Sequence, residues 1–168
     1  MKAKLKGAVK NPFPKDADRK AIWELLIPRD FEAFLAKDWS IGAADFLEKE
    51  FMGYDACGIS NPDHWRLRYA TLKDYREEWL RQAKEFQAVE LKAVGKMEFL
   101  CKTITLKDIE VQGNRAVAKM KANGSVETLN HGPLTMKWQS IFFLKKVQRH
   151  WKITSFVSYL PNPMGKSK

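Results

Sequence analysis

From Phe99 to Leu160 the chain has β-type texture almost without a break, and before it apolar residues recur at helical spacing. Phe99 to Val111 is rich in Thr, Ile and Val, Arg115 to Lys121 alternates, and Leu134 to Lys145 is long enough for an extended strand. Trp151 to Leu160 makes a last strand, stopped by Pro161 and Pro163. Gln112-Gly113-Asn114 and Asn130-His131-Gly132-Pro133 are turn signals, and Val147 to His150 is a short polar connection. Asn123-Gly124 is either a tight turn or a bulge inside a longer strand. Helices first and three or four antiparallel strands afterwards define an α+β class. At 168 residues, with six Trp and ten Phe, the chain fits one domain around one core.

The helical half reads as helices broken by a loop and short strands. Residues 1–15 form a basic lead-in ending in Asn11-Pro12-Phe13-Pro14, where two prolines prevent a helix. Asp16 or Asp18 then caps a helix carrying Ile22, Leu25 and Leu26. Pro28 kinks or restarts it, and Phe31, Phe34 and Leu35 continue the stripe, with Asp38 next at Phe34 plus four. A second helix is predicted from Ser40 to Phe51, ended by Gly53, followed by a short strand over Phe51 to Ala56. Cys57 to His64 is a loop and Trp65 to Tyr69 alternates like a strand. Thr71-Leu72-Lys73-Asp74 then resembles a capping box, and Leu72, Tyr75, Trp79, Ala83 and Phe86 share one helical face.

Composition narrows the function classes. No apolar run approaches the ~18 residues of a membrane helix, and no signal peptide is read at the start, so the expectation is a cytoplasmic protein with no membrane partner. Cys57 and Cys101 are too few for a disulfide framework and are read as free thiols. There is no metal-ligand spacing and no glycine-rich phosphate loop, so no metal and no cofactor are expected. Thirty Lys and Arg against twenty Asp and Glu give +10, which attracts polyanions. Several cations sit at the ends, however (Lys2, Lys4, Lys6, Lys10, Lys166, Lys168), and others alternate with acids, as in Lys73 to Glu78. Charge alone is a weak signal, and nucleic acid is not the expected partner.

Phe34-Leu35-Ala36-Lys37-Asp38-Trp39, Ala43-Ala44-Asp45-Phe46-Leu47 and Phe51-Met52-Gly53-Tyr54-Asp55 lead into Ile109-Glu110-Val111-Gln112-Gly113-Asn114-Arg115-Ala116-Val117 and His150-Trp151-Lys152-Ile153. This series resembles the nuclear transport factor two-like superfamily, the fold of ketosteroid isomerase, scytalone dehydratase and the SnoaL-like polyketide cyclases. The likeness runs over residues 16–160 and leaves 161–168 as a tail. It implies a cystatin-like fold, a cone-shaped curved antiparallel sheet wrapped around N-terminal helices. It implies an apolar cavity holding a few polar groups, and dimerisation through the outer sheet face. It also implies that Trp151 and Ile153 face inward and Phe156 outward.

Such a cavity performs chemistry through a buried carboxylate, His or Tyr, because burial brings an acid's pKa toward neutrality. Asp55 is the first candidate catalytic residue, its alternative being a turn or capping acid. Tyr54 points opposite to Asp55 in a strand, so only one of the two enters the cavity unless a bulge intervenes. His64, beside Trp65 in the loop, is the second catalytic candidate, as a lid acid or base. Asp38 is a weaker candidate that equally serves as a helix cap. Tyr75 and Trp79 either orient a ligand or pack the core. Trp138, Ser140, Phe142 and Leu144 share one face of the long strand, and Gln139, Ile141 and Phe143 the other. One face is expected to line the cone, where Trp138 and Trp151 help form the pocket, and the other to meet a second copy of the chain.

Two functions fit. The first is binding of a small apolar molecule with cofactor-free proton transfer, as in an isomerase, lyase or cyclase. The second is a non-catalytic ligand-binding or dimerising module. Cations near the cone mouth would favour an anionic ligand.

Overall fold

The computed structural model describes residues 9–165. Lys2, Lys4, Lys6, Lys166 and Lys168 lie outside the described residues. The first helix, α1 (Ala17–Glu24), starts where Asp16, in extended backbone, accepts the Arg19 N–H at 3.0 Å. Pro28 has no N–H to give and its ring crowds the preceding turn. The helix widens there into a π turn, Leu25–Arg29, and resumes as α2 (Asp30–Ala36). Lys37, at φ 53°, closes it in the left-handed region.

The helix expected from Ser40 to Phe51 is instead three separate 3₁₀ turns, Trp39–Ile41, Ala43–Asp45 and Glu48–Glu50. Tertiary contacts override the local spacing. Trp39 stacks on Phe46 at 5.1 Å, Phe46 bridges Ile153, and the Leu47 N–H bonds the Ile153 carbonyl at 2.9 Å. Gly53 does not end a helix. It lies in β1 (Met52–Asp55), followed by β2 (Arg66–Tyr69).

Next comes α3 (Leu72–Ala88), capped by the Thr71 hydroxyl on the Asp74 N–H, with Trp79, Ala83 and Phe86 buried along one face. A further helix, α4 (Lys96–Thr103), occupies the first part of the segment expected to be strand. Phe99, Leu100 and Thr103 are buried at helical spacing, so the β-rich composition belongs to two elements. The strands β3 (Ile104–Gln112), β4 (Arg115–Glu127), β5 (Pro133–Val147) and β6 (His150–Leu160) then form the meander. Asn123-Gly124 makes no turn and runs inside β4. A β-carbon at Gly124 would stand 2.6 Å from the Thr103 hydroxyl, so glycine lets α4 lie against the strand.

The sheet order is β2-β1-β6-β5-β4-β3, antiparallel except for β1 beside β6. Its inner face closes on α1, the π turn, α2 and α4 through Ile22, Ile27, Leu100, Leu106 and Leu144. Among the described residues no helix is long and apolar enough to cross a membrane.

Two irregularities in β6 decide which side chains face inward. Phe143 pairs with Ser155 but Leu144 with Ile153, so Thr154 is an extra residue whose hydroxyl bonds the Phe143 carbonyl at 3.1 Å. The alternation reverses there, and Ile153 and Phe156 both turn inward. The expected outward Phe156 is therefore corrected, and it is buried among Phe51 and Tyr69. Further on, Ile141 pairs with Val157 and Gln139 with Leu160, so Ser140 stands across from both Ser158 and Tyr159. Tyr159 takes up the surplus at φ 57°.

Candidate functional site

Between the inner sheet face and the helices lies a cavity of ≈ 230 Å³. Its helical side is Leu25, Leu26, Phe31 and Phe34 with Leu100. Its sheet side includes Met136, Trp138, Phe142, Ile153 and Phe156. The lining is mainly apolar, with a few polar groups set into it.

Among these groups is Asp30, the first residue of α2. The π turn precedes it directly, and its open surface borders the cavity. Burial pushes its carboxyl up to about 7, the negative charge of Asp45 adds to the rise, and hydrogen bonding from the Trp79 side chain opposes it. Asp45 also lines the cavity and is itself raised by burial, against the pull of its ion pair with Arg29.

Tyr75, on α3, lies in an aromatic cage. Its ring is 4.9 Å from Phe156, 5.3 Å from Tyr69 and 5.5 Å from Phe51. Burial, and then the charge of Asp30, hold its phenol well above the usual value. Tyr69 is pushed up to about 12, again mainly by burial. Both phenols therefore keep their protons at neutral pH, and both residues line the cavity.

β1 and β2 pair along the cavity wall and give it Tyr54, Asp55, Arg68 and Tyr69. The Asp55 carboxylate accepts the Cys57 N–H at 2.7 Å and pairs with Arg68 at 3.2 Å. Asp55 thus lines the cavity and also fixes the turn after β1. Tyr54 packs its ring on the opposite sheet face with Ala56, Val157 and Leu160, its hydroxyl near the Met52 sulfur.

The structure brings Asp55, Tyr75, Trp79 and Trp138 to the cavity wall; Tyr54 borders the cavity, but its ring packs with Ala56, Val157 and Leu160 instead. His64 is exposed in the 3₁₀ turn Pro62–His64 and does not line the cavity. Trp65 packs on the outer cluster with its indole N–H on the Ile59 carbonyl at 2.9 Å. Asp38 is an exposed cap that accepts from the Ser40 backbone and hydroxyl. Trp151 is buried in the main core, donating to Asp18 at 2.9 Å. Asp30 was not singled out by sequence. Its signal is the spacing Leu26, Asp30, Phe34, which sets an acid on the apolar stripe one turn before Phe34.

No protein-family model and no curated protein matches the chain. Solved structures do. A protein of unknown function with a cystatin-like fold from Nostoc punctiforme is 13% identical, covering 89% of this chain and 94% of that one at a TM-score of 0.55. A nuclear transport factor 2 (NTF2-like) superfamily protein from Salmonella enterica serovar Typhimurium is 17% identical over 88% and 91%, TM-score 0.53. An NTF2-like protein of unknown function from Shewanella baltica is 15% identical over 84% and 92%, TM-score 0.51. At such identities the likeness is one of fold. The chain has the fold of the NTF2-like superfamily.

Proposed function

We propose that the chain binds a small, largely apolar molecule in the cone cavity and moves a proton on it through Asp30, without a cofactor, as an isomerase, lyase or cyclase does. The observation that carries this reading is a carboxyl raised to about 7 inside an apolar cavity, beside a protonated phenol. Near neutral pH such a group is present in both forms and serves as base or acid. Its carboxylate would take a proton from carbon next to a carbonyl, the Tyr75 hydroxyl would hold the resulting enolate oxygen, and the carboxylic acid would return the proton.

Exchange of the α-protons of 2-tetralone, a bicyclic ketone, in D₂O tests this reading by NMR. The protein accelerates exchange, and Asp30→Asn returns it to the buffer rate. Binding without acceleration supports the second reading, a non-catalytic binding module. That reading is favoured by the engagement of both Asp55 oxygens and by the exposed position of His64 outside the cavity lining, which leave neither of the two residues expected to be catalytic free to move a proton there. Absence of binding by bicyclic ketones removes both.

We propose further that the outer sheet face pairs with a second copy of the chain. Val117, Phe143, Ser155 and Met52 are register partners across β4, β5, β6 and β1, and the three apolar members of that row are exposed. Exposed apolar side chains from three strands on one sheet face are the kind of surface that association covers.

A further inference from the structure

The inner cavity adjoins an outer pocket that includes Asp55, Arg68, Lys137, Trp138 and Tyr159. All of these except Lys137 also line the inner cavity, so the two spaces share a wall. Trp138 and Tyr159 supply its aromatic part, with ring centroids 5.3 Å apart. Arg68 supplies its charge.

Arg68 reaches two acids and is the long contact of each. Its Nη1 is 3.2 Å from Asp55 Oδ2 and its Nη2 is 3.4 Å from Glu78 Oε1. Asp55 also holds the Cys57 N–H at 2.7 Å. Glu78 also holds Arg81 through both oxygens and Gln82 at 3.1 Å. Withdrawing Arg68 therefore leaves neither acid without a hydrogen bond. The Arg68 side chain is 41% exposed, and its planar fork is suited to two parallel bonds with a carboxylate. Lys137 adds a second cation to the same pocket. Asp55 stands against them, which leaves a balance suited to one negative charge rather than two.

From this arrangement we propose that the outer pocket is a subsite for the carboxylate of an amphipathic acid, whose apolar body lies in the inner cavity. The carboxylate takes the Arg68 fork in place of its two long contacts. The carbon skeleton lies against the shared wall of Trp138 and Tyr159 where it passes from one space to the other. The chain's charge of +10 steers such an anion toward the protein. This inference rests on the cavity-binding reading and adds the chemical class of the ligand to it.

The test is calorimetric binding of 2-naphthoate and of methyl 2-naphthoate, which share a bicyclic body and differ in charge. The protein binds the acid about tenfold or more tightly than the ester, as expected for a charge-assisted pair. Added salt weakens the acid and leaves the ester unchanged. Arg68→Met lowers the affinity for the acid to that for the ester. Lys137→Met reduces the preference by a smaller factor, and serves as the test if Arg68→Met does not fold. Equal or tighter binding of the ester by the wild-type chain overturns the carboxylate subsite and leaves the inner cavity standing. A preference for the acid that survives both substitutions also overturns it. Binding of neither compound removes the cavity reading and this inference together.

Discussion

Gly53 faces the ring of Phe156 so closely that a β-carbon on it would stand 2.7 Å from Phe156 Cζ and 2.8 Å from Tyr69 Cδ2. Neither ring has room to retreat, because Phe51, Tyr75 and Phe142 pack around Phe156. Gly53→Ala should therefore destabilise the chain by about 1–3 kcal/mol in urea unfolding. In the Phe156→Leu background the same substitution should cost less. Equal costs in both backgrounds would contradict the inward Phe156.

Why sequence missed that orientation is specific. Period-2 alternation is legible only while the strand stays regular. Ile153 inward and Phe156 outward is the correct reading of an unbroken β6, and Thr154 breaks it. A bulge is set by the partner strand's register, which no local pattern carries. The same holds for Trp39 to Phe51, where side chains suited to a helix are drawn to β6 and Tyr75. The α+β order, the Thr71 cap, the α3 face and the inner face of β5 were legible because each rests on local periodicity or capping. Asp30 was legible in principle. An acid four residues from Leu26 and from Phe34 breaks an apolar stripe, but the π turn at Pro28 obscures the count.

Tyr159 holds φ 57° inside a strand, where an L residue pays for the left-handed region. The conformation is held from both sides. Gly58 donates to the Tyr159 carbonyl at 2.8 Å, and Gln139 donates to the Pro161 carbonyl at 3.0 Å. Glycine in a strand is ordinarily less stable than alanine. Here the order should reverse, with Tyr159→Gly more stable than Tyr159→Ala by about 1 kcal/mol in chemical denaturation. The usual order would mean that Tyr159 does not carry a positive φ.

Phe143 is the centre of the exposed row between Val117 and Ser155. A charge there meets its own copy across a two-fold interface, where desolvation and repulsion act together. The unaltered chain should sediment as a dimer and Phe143→Glu as a monomer with the same far-ultraviolet circular dichroism. Identical sedimentation of the two would remove the sheet-face dimer.

The carboxyl of Asp30 gives the clearest pH signature. Its folded pKa, about 7, lies above its ordinary value of 3.8 because burial disfavours the charge. Between those values the folded chain holds a proton that the unfolded chain has released, so this group lowers stability as pH rises from about 4 to 7. Asp16, Asp18, Glu50 and Glu78 are shifted down by their cationic or hydrogen-bonding partners and act in the opposite sense, so the wild-type profile mixes both. Subtracting it from that of Asp30→Asn isolates the site, since Asn is neutral throughout and close in shape. The variant should match the wild type within ~0.5 kcal/mol at pH 4 and exceed it by roughly 2–4 kcal/mol at pH 8. Urea unfolding at the two pH values measures the difference. A loss of stability of the same size at both would mean that Asp30 works as a structural acceptor, and proton transfer by Asp30 would then have no physical basis.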